Sequence, residues 1–144
     1  DTERGYHIHF QGHDHLLSRP VIFLNRGFGI TPMEQGLRVV GTVEFGGLEN
    51  PSSKERILNL VKNAKYLFPE LEEYSDEWLG FRPTLPDFLP VMGPSKNHEN
   101  LFYSFGHHHL GWTLGAISGK ILAGMIAKEN TNLDLSPYNS LRFS

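Results

Sequence analysis

The stretch "FYSFGHHHLGWTLGAISGKILAGMIAK", Phe102 to Lys128, decides how the rest is read. It opens with aromatic residues in a strand-like run, passes through three consecutive histidines flanked by Gly106 and Gly111, and ends in a run of small and apolar residues with few charges. The hydroxyl of Thr113 predicts a helix cap, and the apolar spacing carries the helix to about Lys128. Gly115, Ala116, Gly119, Ala123 and Gly124 would cost an isolated surface helix stability, so the pattern predicts a helix buried on more than one side and closely approached by backbone or ligand. The preceding "NLFYSFG" reads as a buried strand.

Working toward the amino terminus, "WLGFRPTLPDFLPVMGP" (Trp78 to Pro94) carries Pro83, Pro86, Pro90 and Pro94, which forbid a long helix and predict a rigid extended loop. Before it, Ile57, Leu58, Val61, Ala64 and Leu67 or Phe68 return at helical spacing. Ser52 or Ser53 offers the cap and Pro69 the stop, predicting an amphipathic helix from Lys54 to Leu67 over one face of a sheet. Residues 5–10, 21–24 and 37–45 are rich in aromatic and β-branched side chains separated by Gly, Pro and Asn, as in short antiparallel strands. "MEQG" is the expected turn between the last two strands.

The 144 residues suffice for a domain with a real core, and 39% apolar residues is ordinary for a globular chain. The opening "DTERGYHIHF" reads as the middle of a protein, so a fragment is expected. A formal net charge of -3 and scattered basic residues exclude a nucleic-acid footprint. The absence of cysteine excludes disulfides and thiolate chemistry. No apolar run approaches the roughly 18 residues of a membrane span.

Three groups of residues carry candidate chemistry. His107 and His109 would share one side of a strand, but two imidazoles fall short of the three or four ligands that a zinc site needs. His7, His9, His13 and His15 lie far away in sequence and read as a solvated or interface cluster. No metal ligands are therefore assigned. "GHHHLGWT" sits where strand turns into helix, so unpaired N–H groups and a positive dipole end face whatever the turn holds, and an electron-rich ligand is expected. A plain tight turn is the alternative. Arg82, between Phe81 and Pro83, offers a planar fork for a carboxylate, and an ion pair with Asp87 or another local acid is its alternative.

Together, "GFRPTLPDFLPVMGP" and "ENLFYSFGHHHLGWTLGAISGKILAGMI" resemble the carboxy-terminal part of the flavin-dependent D-amino-acid oxidase family, closest to its bacterial D-amino-acid dehydrogenase branch. "RGYHIHF", "LRVVGTVEFGG" and the terminal "DLSPYNSLRFS" extend the resemblance over nearly the whole chain. It implies an α+β fold: residues 1–94 as a substrate-domain portion with an antiparallel sheet and covering helix, and residues 95–144 as the returning strand and helix of a Rossmann-type FAD-binding domain. No G-x-G-x-x-G follows a strand, so the rest of the FAD domain is expected upstream, and the chain alone should bind FAD weakly, expose an apolar surface along its last helix and self-associate there.

By resemblance, Arg82 is the substrate-carboxylate anchor, and Gly106, His107, His108, Leu110, Gly111 and Thr113 lie in the turn against the flavin. His109 faces the substrate amine at a position where relatives vary. Gly29 stands where oxidases of the family place a tyrosine, so substrate identity does not carry over. The implied reaction is oxidation of a D-amino acid or a related small amino or imino acid by hydride transfer to FAD. Electrons then pass to a quinone or respiratory acceptor, and the implied location is cytoplasmic or peripheral on the inner face of a bacterial membrane. Two other readings stay open, a domain that binds a small carboxylate without redox chemistry and a histidine metal-binding module.

Overall fold

A computed structural model of the chain describes residues 2–143. In chain order its main elements are β1 (Glu3–Gln11), β2 (Val21–Phe23), β3 (Phe28–Met33), β4 (Gly36–Phe45), α1 (Lys54–Leu67), β5 (Asp76–Arg82), β6 (Val91–Pro94), β7 (Phe102–Phe105) and α2 (Gly111–Ile126). The chain divides into two compact units: residues 3–81, and Thr2 together with the chain from Arg82 onward.

The first unit is a five-stranded sheet in the order β2-β3-β4-β1-β5, whose β1/β4, β2/β3 and β3/β4 pairs are antiparallel, with α1 packed on one face. Strand alternation sets Tyr6, Ile8 and Phe10 of β1, Phe28 and Ile30 of β3, and Leu37 and Val39 of β4 toward the helix, and all are buried. Ile57, Leu60 and Ala64 of α1 close this core. Each large aliphatic side chain so buried contributes on the order of 1.5–3 kcal/mol. Helix α1 has the expected bounds, and the Ser53 hydroxyl accepts a hydrogen bond from the Arg56 N–H as its cap.

The β3/β4 turn is tighter than the expected "MEQG": only Glu34 and Gln35 lie outside the strands. Pro32 sits inside β3, beyond the Val21–Phe23 stretch that pairs with it on the other side, so its missing N–H breaks no ladder. Between Arg4↔Glu44 and Tyr6↔Gly41 the register shifts, and Gly5 faces both Thr42 and Val43. This β-bulge holds Thr42 at φ +63°. Beside it the fully buried Arg4 meets Glu44 (3.2 Å) and donates to the Pro51 carbonyl (2.6 Å), while Glu44 also meets Arg56 (3.1 Å). Such a pair is costly to break because one buried charge would be left alone.

In the second unit β6 and β7 form a two-stranded antiparallel sheet against which α2 lies. Several expectations need correction here. Both ends of the proline-rich stretch are strands, β5 and β6, and only the residues between them form the loop. Strand β7 is half-buried to exposed instead of buried, since it has a neighbouring strand on one side only. Helix α2 begins at Gly111 with Leu110 at its cap position, so Thr113 lies within the first turn and caps nothing. Of its side chains only Ser118 is buried, while Trp112, Ile117 and Ile126 are exposed. The apolar face thus stands open, as expected for the chain by itself, and is not covered on several sides. No helix among the described residues is long and apolar enough to cross a membrane.

Candidate active site

Arg82 closes β5, and its backbone carbonyl accepts hydrogen bonds from the Thr2 hydroxyl (2.7 Å) and the Thr84 N–H (2.8 Å). Its side chain is half-buried, and Nη1 is buried without a hydrogen-bond partner; the buried Thr84 hydroxyl, two residues on, also lacks one. The Asp87 alternative fails for a specific reason. Arg142 takes that carboxylate with Nε (2.5 Å) and Nη2 (3.2 Å) and also donates to the Leu89 carbonyl (2.6 Å). Those bonds hold the Asp87 carboxyl below its ordinary range. An unpaired buried guanidinium nitrogen costs stability unless something absent from the chain satisfies it.

The histidine turn is a short 3-10 segment, His108 to Leu110, following β7, so His107 and His109 are not on one strand face. Gly106 stands at φ +81°, and a Cβ there would lie 2.5 Å from Leu85 Cδ1, which requires glycine on both counts. Gly111 by contrast has ordinary helical dihedrals and room for a methyl group, so the backbone geometry does not require glycine there. His107 Nε2 and the Ser118 hydroxyl share a hydrogen bond of 3.0 Å, tying the turn to α2.

His108 sits at the strained φ of +38°, held where its Nε2 donates to the Phe88 carbonyl at 2.9 Å. In the neutral ring that bond makes Nδ1 an acceptor, and His109 Nδ1 lies 2.9 Å away as the donor. The chain of bonds leaves the Nε2 lone pair of exposed His109 free to accept a proton or a hydrogen bond. Helix α2 leaves its first N–H groups without intrahelical acceptors, and no side chain caps them. Nothing lies within 4 Å of where a Cβ would stand at Gly115 or Gly119, so the helix surface beyond the turn is open.

A left-handed glycine, an uncapped helix start and a bare glycine face together fit the edge of a large flat group carrying acceptor atoms. They bring Gly106, His107, His108, Leu110, Gly111 and Thr113 into one turn and the first turn of one helix. Among the described residues no three His, Asp or Glu side chains converge as metal ligands. The four amino-terminal histidines are not one cluster: His7 stacks with His9, and His13 with His15. Sequence reasoning missed Arg142 as the partner of Asp87, and it missed the packing of His7, His9, Arg38 and Trp78 on one sheet face. The alternation in "RGYHIHF" was the available signal, since it sets both histidines opposite Tyr6, Ile8 and Phe10.

The family model described as "FAD dependent oxidoreductase" matches residues 1–125. A D-amino-acid oxidase of Bradyrhizobium diazoefficiens is 29% identical over 148 residues, covering 99% of this chain and 35% of that protein. A D-amino acid dehydrogenase of Granulibacter bethesdensis is 37% identical over 117 residues, covering 80% of this chain and 28% of the relative. Among solved structures, glycine oxidase from Geobacillus kaustophilus superimposes with a TM-score of 0.82 at 27% identity, over 96% of this chain and 38% of that one. The chain therefore spans roughly a third of the length of the proteins it matches.

Proposed function

The chain belongs to the FAD-dependent oxidoreductase family of the D-amino-acid oxidases, and from that premise we propose that it is the carboxy-terminal portion of an enzyme oxidising D-amino acids or related small amino or imino acids. Residues 1–94 serve as the substrate-domain portion and residues 95–144 as the returning strand and helix of the FAD-binding domain. The observation that carries the reading is Arg82, whose buried Nη1 has no partner while Asp87 is held by Arg142. A substrate carboxylate completes that guanidinium with the planar fork geometry an arginine offers.

A bound flavin would supply the hydride acceptor for the substrate's α-hydrogen. This chain's residues supply position and electrostatics. Arg82 fixes the carboxylate, and His109 Nε2 accepts a hydrogen bond from the substrate amine. Gly106, His107, His108, Leu110, Gly111 and Thr113 form the turn along the ring edge. The first-turn N–H groups of α2 stabilise negative charge there. In a protein of the relatives' length the remaining chain covers the exposed apolar face of α2; the 144 residues alone bind free FAD weakly and self-associate through that face.

The test is steady-state kinetics on D-amino acids in the flavin-loaded protein, normalised to bound flavin. Arg82→Ala should lose about 2–5 kcal/mol of charged hydrogen-bonded contact, a roughly 30- to 5000-fold fall in kcat/KM. Arg82→Lys should recover only part of it, and flavin content should stay unchanged in both. An unaltered kcat/KM in Arg82→Ala removes the substrate-anchor role.

A further inference from the structure

The sheet face that α1 leaves uncovered carries one built array of side chains. His7 and His9 of β1 stack on each other at 5.3 Å and 25°, and the Trp78 indole continues the stack at 4.9 Å and 16° from His7. The indole lies folded onto Gly80: a Cβ at that position would stand 1.8 Å from Cη2 of the ring, so any other residue would displace it. At the far end Arg38, directly opposite His9 in the β1/β4 register, donates from Nε to His9 Nε2 at 2.7 Å.

The array itself offers mainly donors, although the Asp76 carboxylate lies near enough to act on both histidines. Because His9 Nε2 accepts, the neutral ring carries its proton on Nδ1 and is a donor to anything else. Burial first and the Arg38 charge second lower the His9 pKa, and they hold that of His7 at about 4, with Asp76 the opposing acid. Both rings are therefore neutral near pH 7, and Arg38 is the cation of the array. Three other arginines of this unit differ: Arg4 and Arg56 meet Glu44, and the exposed Arg26 donates to Asn63 and lies over Tyr66. Arg38 has only a neutral imidazole, on its Nε, and among the described residues both of its Nη nitrogens lack a hydrogen-bond partner.

We propose that Arg38, His9, His7 and Trp78 form a binding site for an aromatic carboxylate. The Arg38 Nη pair takes the carboxylate, the only group on such a ligand that matches two adjacent donors. The outward edges of the stacked imidazoles and of the half-exposed Trp78 indole meet the ligand ring edge-to-face. The site rests on the geometry of residues 7–80 alone and does not depend on the assignment of Arg82.

Phenylacetate is the probe, titrated into protein carrying carbon-13 in its histidine rings. A saturable shift of the His7 and His9 ring resonances is expected, with affinity at least about tenfold lower in Arg38→Gln. Arg38→Lys should recover part of the loss, since it keeps charge but not the fork. Phenethylamine, which has the ring without the carboxylate, should leave the resonances in place. Thermal melting of each variant checks that the fold is kept. The proposal is overturned if no saturable shift occurs, if phenethylamine matches phenylacetate, or if Arg38→Gln binds as tightly as the parent. A shift abolished by Arg82→Ala and untouched by Arg38→Gln also overturns it while leaving the substrate-anchor reading intact. Shifts that depend on Arg38 in a protein whose kinetics ignore Arg82→Ala support it while that reading fails.

Discussion

The two units treat their apolar residues in opposite ways. In residues 3–81 the strand alternation and the α1 spacing agree, and Tyr6, Ile8, Phe10, Ile30, Leu37, Val39 and Leu60 are sealed against one another. In the unit from Arg82 onward α2 is the more apolar helix, yet Trp112 is fully exposed and Ile117 and Ile126 are about half-exposed. A helix hydrophobic nearly all round is a buried helix. Its bare surface here shows that hydrophobic sequence states a demand for burial, and that only a surface of the right shape meets it. The polar features do not divide so cleanly: Arg4 and Glu44 form an ion pair within the sheet unit, yet the buried Arg4 Nε and Thr42 hydroxyl there lack hydrogen-bond partners, as do Arg82 Nη1 and the Thr84 hydroxyl in the second unit.

Truncation tests this contrast with the largest effect. Phe10→Ala removes a fully buried ring and should cost about 3–5 kcal/mol of stability, whereas Trp112→Ala, at a ring fully exposed in the single chain, should change the monomer, at dilutions below self-association, by no more than about 0.5 kcal/mol. Denaturant unfolding of both variants measures the difference, and equal losses would mean that α2 is covered in solution. Gly106→Ala probes the ordered part of the second unit. Its φ of +81° and the contact with Leu85 should cost about 1–3 kcal/mol, and Thr42→Gly in the sheet-unit bulge should go the other way, gaining up to about 1 kcal/mol by relieving a left-handed β-branched residue.

An effect of a different kind appears in acid. His7 titrates at about 4 in the folded chain and near its ordinary 6.5 unfolded, and His9 is displaced in the same direction. Between those values the unfolded chain binds the proton and the folded chain refuses it, so stability is full above pH 6.5 and falls as pH drops toward 4. A melting series from pH 7 to pH 4.5 should show a downward slope that His7→Gln flattens. Glu44 and Asp87, whose pKa values are lowered by Tyr6 and Arg142 respectively, lose their contributions only at lower pH, as it falls through the carboxylate range. A slope unchanged by His7→Gln would show that the stack does not exclude the proton.

Much of the outline was legible because it depends on near neighbours in the chain. The α1 boundaries follow from the Ser53 cap, the apolar period and Pro69, all within one helix length. The sheet strands follow from alternation in "RGYHIHF" and "LRVVGTVEF", and the Gly106 turn from the glycine that ends a strand-like run. What the sequence left open were distances across the fold. Arg82 and Asp87 are close in sequence, but the acid pairs with Arg142, far along the chain, because the fold sets the loop that carries Asp87 against the carboxy-terminal turn that carries Arg142. The histidines of β1 looked like a solvated cluster until β4 and β5 brought Arg38 and Trp78 against them. Local patterns are set by backbone dihedrals and side-chain period, which one segment carries in itself, whereas pairing, burial and protonation depend on which groups the folded chain places within a few ångströms of one another.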